Sequence, residues 1–458
     1  MSFEVLSTSI TAAVATSGTI TFAYPTGRSQ GMYLPGAEKL RVPSARTVYN
    51  VGIDFQIVYN STTVVITWLN ALTIPALQTL QLELRLNDDL VFGQINPQTG
   101  VIPANRDIYQ PLFNFRVNSL PNWRKALANV RRGLSNAKIA FVGDSTTRGQ
   151  GSATTTGQAL NGFPVQLSNL LNVTPGLKSG WQNIFGQANM TITTFDSRIA
   201  LTGTFTTASV CFGASPFRMG AAATMAFTPT VNCDTFDIYS INNGTGQFTI
   251  NLDGGATLAT VNTTTNGAIV KTTVSGTLAA HTLNCVWVSG ATFILGIDAY
   301  DNATKQVSCW NGGWLASTAA NWNSQVGLFA PMLALRDYLV PDLTIIDLGI
   351  NNWSASADPT QFKSDMSNML SIIRPTLDVI LKTPIPTQAT SVSLDTQRKF
   401  IQATYELAEA YDCPLVDCFT RWGSYEEANP LGFYNDNKHG SAIGYNDIAS
   451  ALHRAIVF

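Results

Sequence analysis

The sequence predicts an α/β protein whose parallel sheet is interrupted by an inserted β-sandwich and preceded by a β-rich module. Short apolar runs alternate with helix-spaced segments in 136–216 and 320–458, the pattern of βα units with buried parallel strands. Between them, 217–319 holds strand-like runs and hairpin signals without helical segments, the pattern of a sandwich. Residues 1–107 share that all-β character, and 108–135 read as a linker and a lead-in helix. With 458 residues the chain has room for such a division.

In the first module, Thr19-Ile20-Thr21-Phe22-Ala23-Tyr24 alternates polar and apolar residues. The runs 55–59 and 63–68 flank Asn60-Ser61-Thr62, a hairpin signal, and 80–86 alternates cleanly. The module holds no catalytic constellation. An Asn- and Pro-rich linker follows, then a helix over 123–134. Ile139-Ala140-Phe141-Val142 reads as a buried strand, stopped by the polar turn Gly143-Asp144-Ser145. The segment 162–171 has helical spacing, with Pro164 tolerated in its first turn. In the insert, 236–239, 248–252, 269–274, 283–288 and 292–297 are strand-like, and Asp253-Gly254-Gly255 signals a hairpin. The α/β pattern resumes with a buried strand at 342–348, then a helical face of Phe362, Met366, Met369, Leu370 and Ile373. A strand at 377–381, a helix at 395–411, a strand at 414–418 and a final helix at 442–456 complete the chain.

Composition narrows the function classes. The chain is 45% hydrophobic and only 12% charged, with a formal net charge of −2. Without basic clusters, neither nucleic acid nor a polybasic membrane contact is expected. No run is long and apolar enough to span a membrane. No basic region precedes an apolar stretch at the N-terminus, so synthesis in a cytoplasm without a signal peptide is expected. The six cysteines, Cys211, Cys233, Cys285, Cys309, Cys413 and Cys418, lack a metal-ligand spacing. They read as free buried thiols, with one pair in the middle region as the alternative. No metal or organic cofactor is called for.

The chemistry converges on Ser145. A serine at the carboxyl end of a first parallel strand lies where open α/β sheets bind ligands. Its hydroxyl needs a base, and the base needs an orienting group. The chain has three histidines. His439 follows Asp436 by three residues, a spacing at which a tight turn sets carboxylate beside imidazole. His281 has no acid near it in sequence, and His453 falls in the last helix; both read as structural or surface histidines. The segment Gly349-Ile350-Asn351-Asn352 follows the 342–348 strand, where a side-chain amide can serve an oxyanion.

Gly143-Asp144-Ser145, Gly349-Ile350-Asn351-Asn352 and Asp436-x-x-His439 resemble, in order, the sequence blocks of the SGNH (GDSL) esterase superfamily. The resemblance implies a flavodoxin-like three-layer hydrolase domain, with Ser145 as nucleophile, His439 as base and Asp436 as its partner. It also implies an oxyanion hole of the Ser145 N–H, a second-block glycine N–H and the Asn351 amide. By order that glycine is Gly213, with Gly186, Gly203 and Gly220 as alternatives. The family usually has aspartate where this chain has Asn352, and proline where it has Gly440. The insert resembles the jelly-roll inserts of some polysaccharide-active members, in which Trp287, Trp310 and Trp314 would either stack on sugars or fill the core. The N-terminal module resembles those of bacteriophage virion proteins. The expected function is a serine esterase that removes O-acetyl groups from a bacterial surface polysaccharide, as part of a phage tail spike or tail fibre. The module would then engage tail or baseplate proteins, and the chain would act at the cell surface as part of a virion, with a trimer as the oligomer. The alternatives are a carboxylesterase or lipase, and a non-catalytic glycan-binding receptor protein.

Overall fold

The computed structural model describes residues 3–9, 18–24, 39–42, 47–50, 55–60, 62–69, 79–85, 112–116, 119–153, 157–186, 192–207, 210–242, 246–263, 267–324 and 330–457. Most of the Asn- and Pro-rich linker lies outside them. The chain divides into two units, Met1–Gln110 and Pro111–Phe458.

The first unit contains two antiparallel sheets. One orders Phe3–Ser9, Thr79–Arg85, Lys39–Val42 and Thr47–Asn50; the other orders Thr19–Ala23, Thr63–Trp68 and Phe55–Tyr59. The expected hairpin pairs Tyr59 with Val64 and Phe55 with Trp68. Strict alternation in Thr63–Trp68 turns Val64, Ile66 and Trp68 inward. They meet Leu6, Leu40, Leu80 and Leu82 from the other sheet in one core.

The second unit is built on a seven-stranded sheet in the order Ser179–Gly180, Val307–Asn311, Ala137–Gly143, Leu343–Asp347, Val379–Lys382, Leu415–Val416 and Leu112–Phe113. All its pairings are parallel except the last. From Val307–Asn311 onward this is the flavodoxin-like order, with Ala137–Gly143 central and almost wholly buried. The chain first steps to one side of that strand and later to the other. Right-handed crossovers in opposite directions put helices on both faces. Phe163–Asn172 packs with Ala442–Ile456, and Pro359–Ile373 packs with Leu394–Ala410. The lead-in helix, Pro121–Arg131, buries Trp123, whose indole N–H donates to the Ile456 carbonyl at 2.8 Å. The reversal of direction leaves a crevice at the carboxyl ends of Ala137–Gly143 and Leu343–Asp347.

The insert is a sandwich of two antiparallel sheets. One contains Asn183–Phe185, Phe205–Thr207, Phe217–Met219, Cys233–Asn242, Ala268–Ala279 and Thr292–Tyr300; the other contains Ile199–Thr202, Thr224–Phe227, Gln247–Leu252, Ala259–Asn262 and Leu283–Ser289. Its strands thus run from 183 to 300 rather than within 217–319. The three strands before 217 have only three or four residues each, too short to show a period. Val307–Asn311, expected in the insert, pairs instead with Ala137–Gly143 in the parallel sheet. Asp253 and Gly254 take φ of 55° and 71°, the left-handed turn that the Asp-Gly signal predicts. All six cysteines are free and buried.

Candidate active site

Gly143 ends the central strand, and a side chain there would collide with its surroundings. A Cβ would lie 2.0 Å from the Thr147 hydroxyl and 2.8 Å from the Asp347 carbonyl. Its absence lets the chain turn at once into the one-turn helix Ser145–Arg148. Asp144 caps that helix, its carboxylate accepting the Thr146 N–H and hydroxyl at 2.8 Å each. Gly149, at φ 104°, ends it. Ser145 therefore stands on a turn fixed at both ends.

His439 arrives from the far end of the chain. The loop 434–440 is closed by a bridge between Tyr434 and Gly440, and the Asn435 N–H donates to the His439 carbonyl at 2.9 Å. Gly440 lies against the Tyr445 ring, so the loop is packed in place where the family has proline. Ser145 Oγ is 2.9 Å from His439 Nε2, and His439 Nδ1 is 2.7 Å from Asp436 Oδ2. Asp436 Oδ1 also accepts the backbone N–H groups of His439 and Lys438, at 2.7 and 2.9 Å. Burial alone would raise the Asp436 carboxyl, but these hydrogen bonds prevail and hold it at about 2. An ionised Asp436 only accepts, so Nδ1 carries the ring proton and Nε2 is free to take the serine proton. Serine, histidine and aspartate thus form one continuous chain, reached from 294 residues apart in sequence.

A buried charge network underlies the turn. Asp347, the last residue of its strand, accepts the hydroxyls of Thr146 and Thr147 at 3.3 Å each, and pairs with Lys382 at 2.9 Å. Burial, and then Asp347, push the Asp144 carboxyl up to about 6. Burial opposes the charge on Lys382, but Asp347 more than offsets this and the ammonium is held above its ordinary range. The sequence reading missed Asp347 and Lys382. Their signal is faint: two opposite charges, each at the last position of an apolar strand.

Asn351 lies on the short helix Ile350–Ser354, its amide donating to the Ser317 carbonyl at 3.0 Å. Asn352 is buried and accepts the Ala319 N–H at 3.1 Å, so its side chain ties down the segment that follows Val307–Asn311. Gly213 does not sit at the serine turn. The closest approaches to it are the backbones of Phe185 and Gly186, on the sandwich side. The glycine from a neighbouring strand that packs against the serine helix is Gly313. Asn311-Gly312-Gly313-Trp314 leaves the strand next to Ala137–Gly143, and a Cβ on Gly313 would lie 2.3 Å from the Arg148 nitrogen. The Gly313 N–H donates to Asn311 Oδ1 at 3.0 Å. The strand-then-glycine pattern is visible in the sequence, but it falls within 217–319, the span that reads as the insert.

Trp310 is core: it is 0% exposed and donates to Asp298 at 2.9 Å. Trp287 packs half-buried against the sandwich core. Trp314, also half-buried, directly follows Gly313 and meets Trp322 edge-on at 5.8 Å. His281 has an acid after all, since the hairpin brings Asp253 to 2.6 Å, but the pair is an exposed feature of the sandwich. His453 bonds Thr174 at 2.7 Å. Among the described residues no cluster of three or more potential ligands could hold a metal, and no helix is long and apolar enough to cross a membrane.

A family model, the GDSL-like lipase/acylhydrolase family, matches residues 292–446, which include Asn351, Asp436 and His439. A solved structure described as a peptidoglycan O-acetylesterase in action matches at a TM-score of 0.59 and 18% identity, over 76% of this chain and 98% of that one. Residues 292–446 are thus a GDSL-like, or SGNH, hydrolase segment, and the fold is shared with that O-acetylesterase. Two other solved structures match more loosely. A lipase/acylhydrolase from Enterococcus faecalis matches at a TM-score of 0.28 and 19% identity, over 33% of this chain and 76% of that one. A family two carbohydrate esterase from Cellvibrio japonicus matches at a TM-score of 0.24 and 12% identity, over 57% of this chain and 94% of that one. No protein of curated function matches. The family match begins at residue 292, inside the sandwich, so the SGNH domain's serine block lies outside it.

Proposed function

We propose that this SGNH hydrolase is a serine esterase that removes O-acetyl groups from a bacterial surface polysaccharide. The observation that carries the reading is the Ser145–His439–Asp436 chain, with spacings of 2.9 and 2.7 Å. His439 Nε2 takes the hydroxyl proton as Ser145 Oγ attacks the acetyl carbonyl. Asp436 holds the ring and stabilises the imidazolium. The imidazolium then protonates the departing sugar oxygen, leaving an acetyl-serine. Water, deprotonated by His439, attacks that ester and releases acetate. The Ser145 and Gly313 N–H groups and the Asn351 amide are the oxyanion donors. In the free enzyme Asn311 and Ser317 occupy the last two, and a developing oxyanion is a stronger acceptor than either. Each such donor is typically worth about 2.7–4 kcal/mol in the transition state.

Support for a glycan ester comes from Trp314, a half-buried ring whose backbone N–H donates to the Gly143 carbonyl at 2.9 Å, and from the name of the O-acetylesterase whose fold the chain shares. The biological setting in this reading is a phage tail spike or fibre. The first unit joins tail or baseplate proteins, and a trimer acts at the bacterial surface. Its support is the low charge and the β-rich modules. Acetate release from O-acetylated polysaccharide, comparing wild type with Ser145→Ala and with 4-nitrophenyl acetate as control, tests the reaction. Release by the wild type alone is expected. A preference for long acyl chains would place the protein with the lipases. Glycan binding without Ser145-dependent turnover would make it a receptor-binding protein.

A further inference from the structure

Arg148 is the last residue of the serine helix, and it is only 3% exposed. Among the described residues its guanidinium has no hydrogen-bond or ion-pair partner. A buried, unpaired guanidinium is costly, and a carboxylate that reached it would offset that cost. Burial pulls its pKa down to about 10, with only Asp196 acting the other way. Asp196 is itself committed, both oxygens being held by Arg198 at 2.9 and 2.6 Å.

The side of the turn on which Arg148 begins follows from the helix. Thr146 and Thr147 turn inward, their hydroxyls on Asp347. Ser145 turns the other way, to His439. Arg148, three residues on, shares the Ser145 side of the turn, where Cβ atoms lie about 5–6 Å apart. Its nitrogens are not among the fully enclosed polar atoms without partners, so the guanidinium keeps a narrow connection to solvent. The Arg148 backbone is held by Asn311, whose amide donates to its carbonyl at 3.3 Å, and lies against Gly313 at the end of the neighbouring strand.

We propose that Arg148 is a specificity residue that binds a carboxylate on the sugar carrying the ester, so that the preferred substrate is an acidic glycan of the uronic acid type. The planar guanidinium presents paired N–H donors that match the two oxygens of a carboxylate. The inference rests on the glycan-esterase reading. It adds that Arg148 selects among glycan esters by charge while Ser145 and His439 do the chemistry.

Two measurements test it. In the first, D-glucuronate, D-glucose and inorganic phosphate are titrated calorimetrically into the Ser145→Ala protein, with and without Arg148→Gln or Arg148→Lys. Glucuronate is expected to bind and glucose not to bind. Arg148→Gln should weaken glucuronate about 10- to 100-fold, and Arg148→Lys should weaken it less. Matching thermal unfolding curves for the variants would show that they fold. Glucuronate binding no tighter than glucose, binding unchanged in Arg148→Gln, or binding of phosphate alone would each overturn the proposal. In the second, acetate release is compared on an O-acetylated acidic polysaccharide and its carboxyl-reduced form. The wild type should prefer the acidic form at least about tenfold in kcat/KM, and Arg148→Gln should lose that preference. Equal rates in the wild type would overturn the proposal and leave the esterase standing. No Ser145-dependent release from either would instead overturn the glycan-esterase reading, and the calorimetry would still decide Arg148.

Discussion

Ser145 is 6% exposed and His439 3%, whereas the Asp436 side chain is 42% exposed. The proton therefore moves in a dry setting, while the orienting acid stays at the rim and relies on three hydrogen bonds to remain ionised. Replacing Ser145 by alanine should lower kcat on 4-nitrophenyl acetate by about 10⁶, and Asp436→Ala by about 10⁴, as measured by acetate release. Two carboxyls at the site titrate in opposite senses. Asp436 is held at about 2, below its ordinary 3.8, so its contribution to stability is full above 3.8 and is lost as pH falls toward 2. Asp144 is raised to about 6, so its contribution is full below 3.8 and is lost as pH rises to about 6. Thermal unfolding across pH should show both effects. The gap between wild type and Asp436→Asn should close on acidification below pH 3.8, whereas Asp144→Asn should flatten the decline between 3.8 and about 6.

The strands contribute unequally to the site. Ala137–Gly143 and Leu343–Asp347 each end in the serine turn or its support, and Val379–Lys382 supplies the counter-ion. Asp347 and Lys382 are 1% exposed each, so neither charge tolerates loss of the other. Lys382→Met should cost about 3–5 kcal/mol in denaturant unfolding, with much of it recovered in Lys382→Met/Asp347→Leu. The sandwich is not a detachable ornament. Trp310, on a sheet strand, packs its ring against Phe185 and edge-on to Tyr239 and bonds Asp298, all three in sandwich strands. Trp310→Ala should cost about 3–5 kcal/mol, read by the same method. Elements with a clear period were legible in the sequence: the strand at 343–347 and the helices at 394–410 and 442–456 lie within a residue or two of expectation. The short strands at 183–185 and 199–202 were not, because three or four residues carry no period against which to judge them.

On the scale of the whole molecule, the two units have separate cores. Among the described residues, the core of the first unit gathers Phe22, Phe55 and Trp68 with other residues of that unit. Residues 111–458 expressed alone should therefore fold and hydrolyse 4-nitrophenyl acetate at the full-length rate. Loss of activity in a folded fragment would show that the first unit completes the site. The SGNH domain itself is split by the insert. Its serine block and its asparagine and histidine blocks are brought together only because Val307–Asn311 returns the chain to the sheet beside Ala137–Gly143.

The sequence by itself picked out the candidate site residues. Ser145, Asn351, Asp436 and His439 were readable because local rules govern them: a strand followed by a sharp turn, and a three-residue spacing between acid and base. Strand periodicity likewise made both β-rich regions legible. Tertiary structure alone decided that Gly313 packs against the end of the serine helix, that Lys382 neutralises Asp347, that Asp253 reaches His281, and that Arg148 is buried without a partner among the described residues. Each of these depends on residues brought together by strand order or hairpin closure. Strand order is set by the packing of whole elements, which no local pattern of residue types encodes.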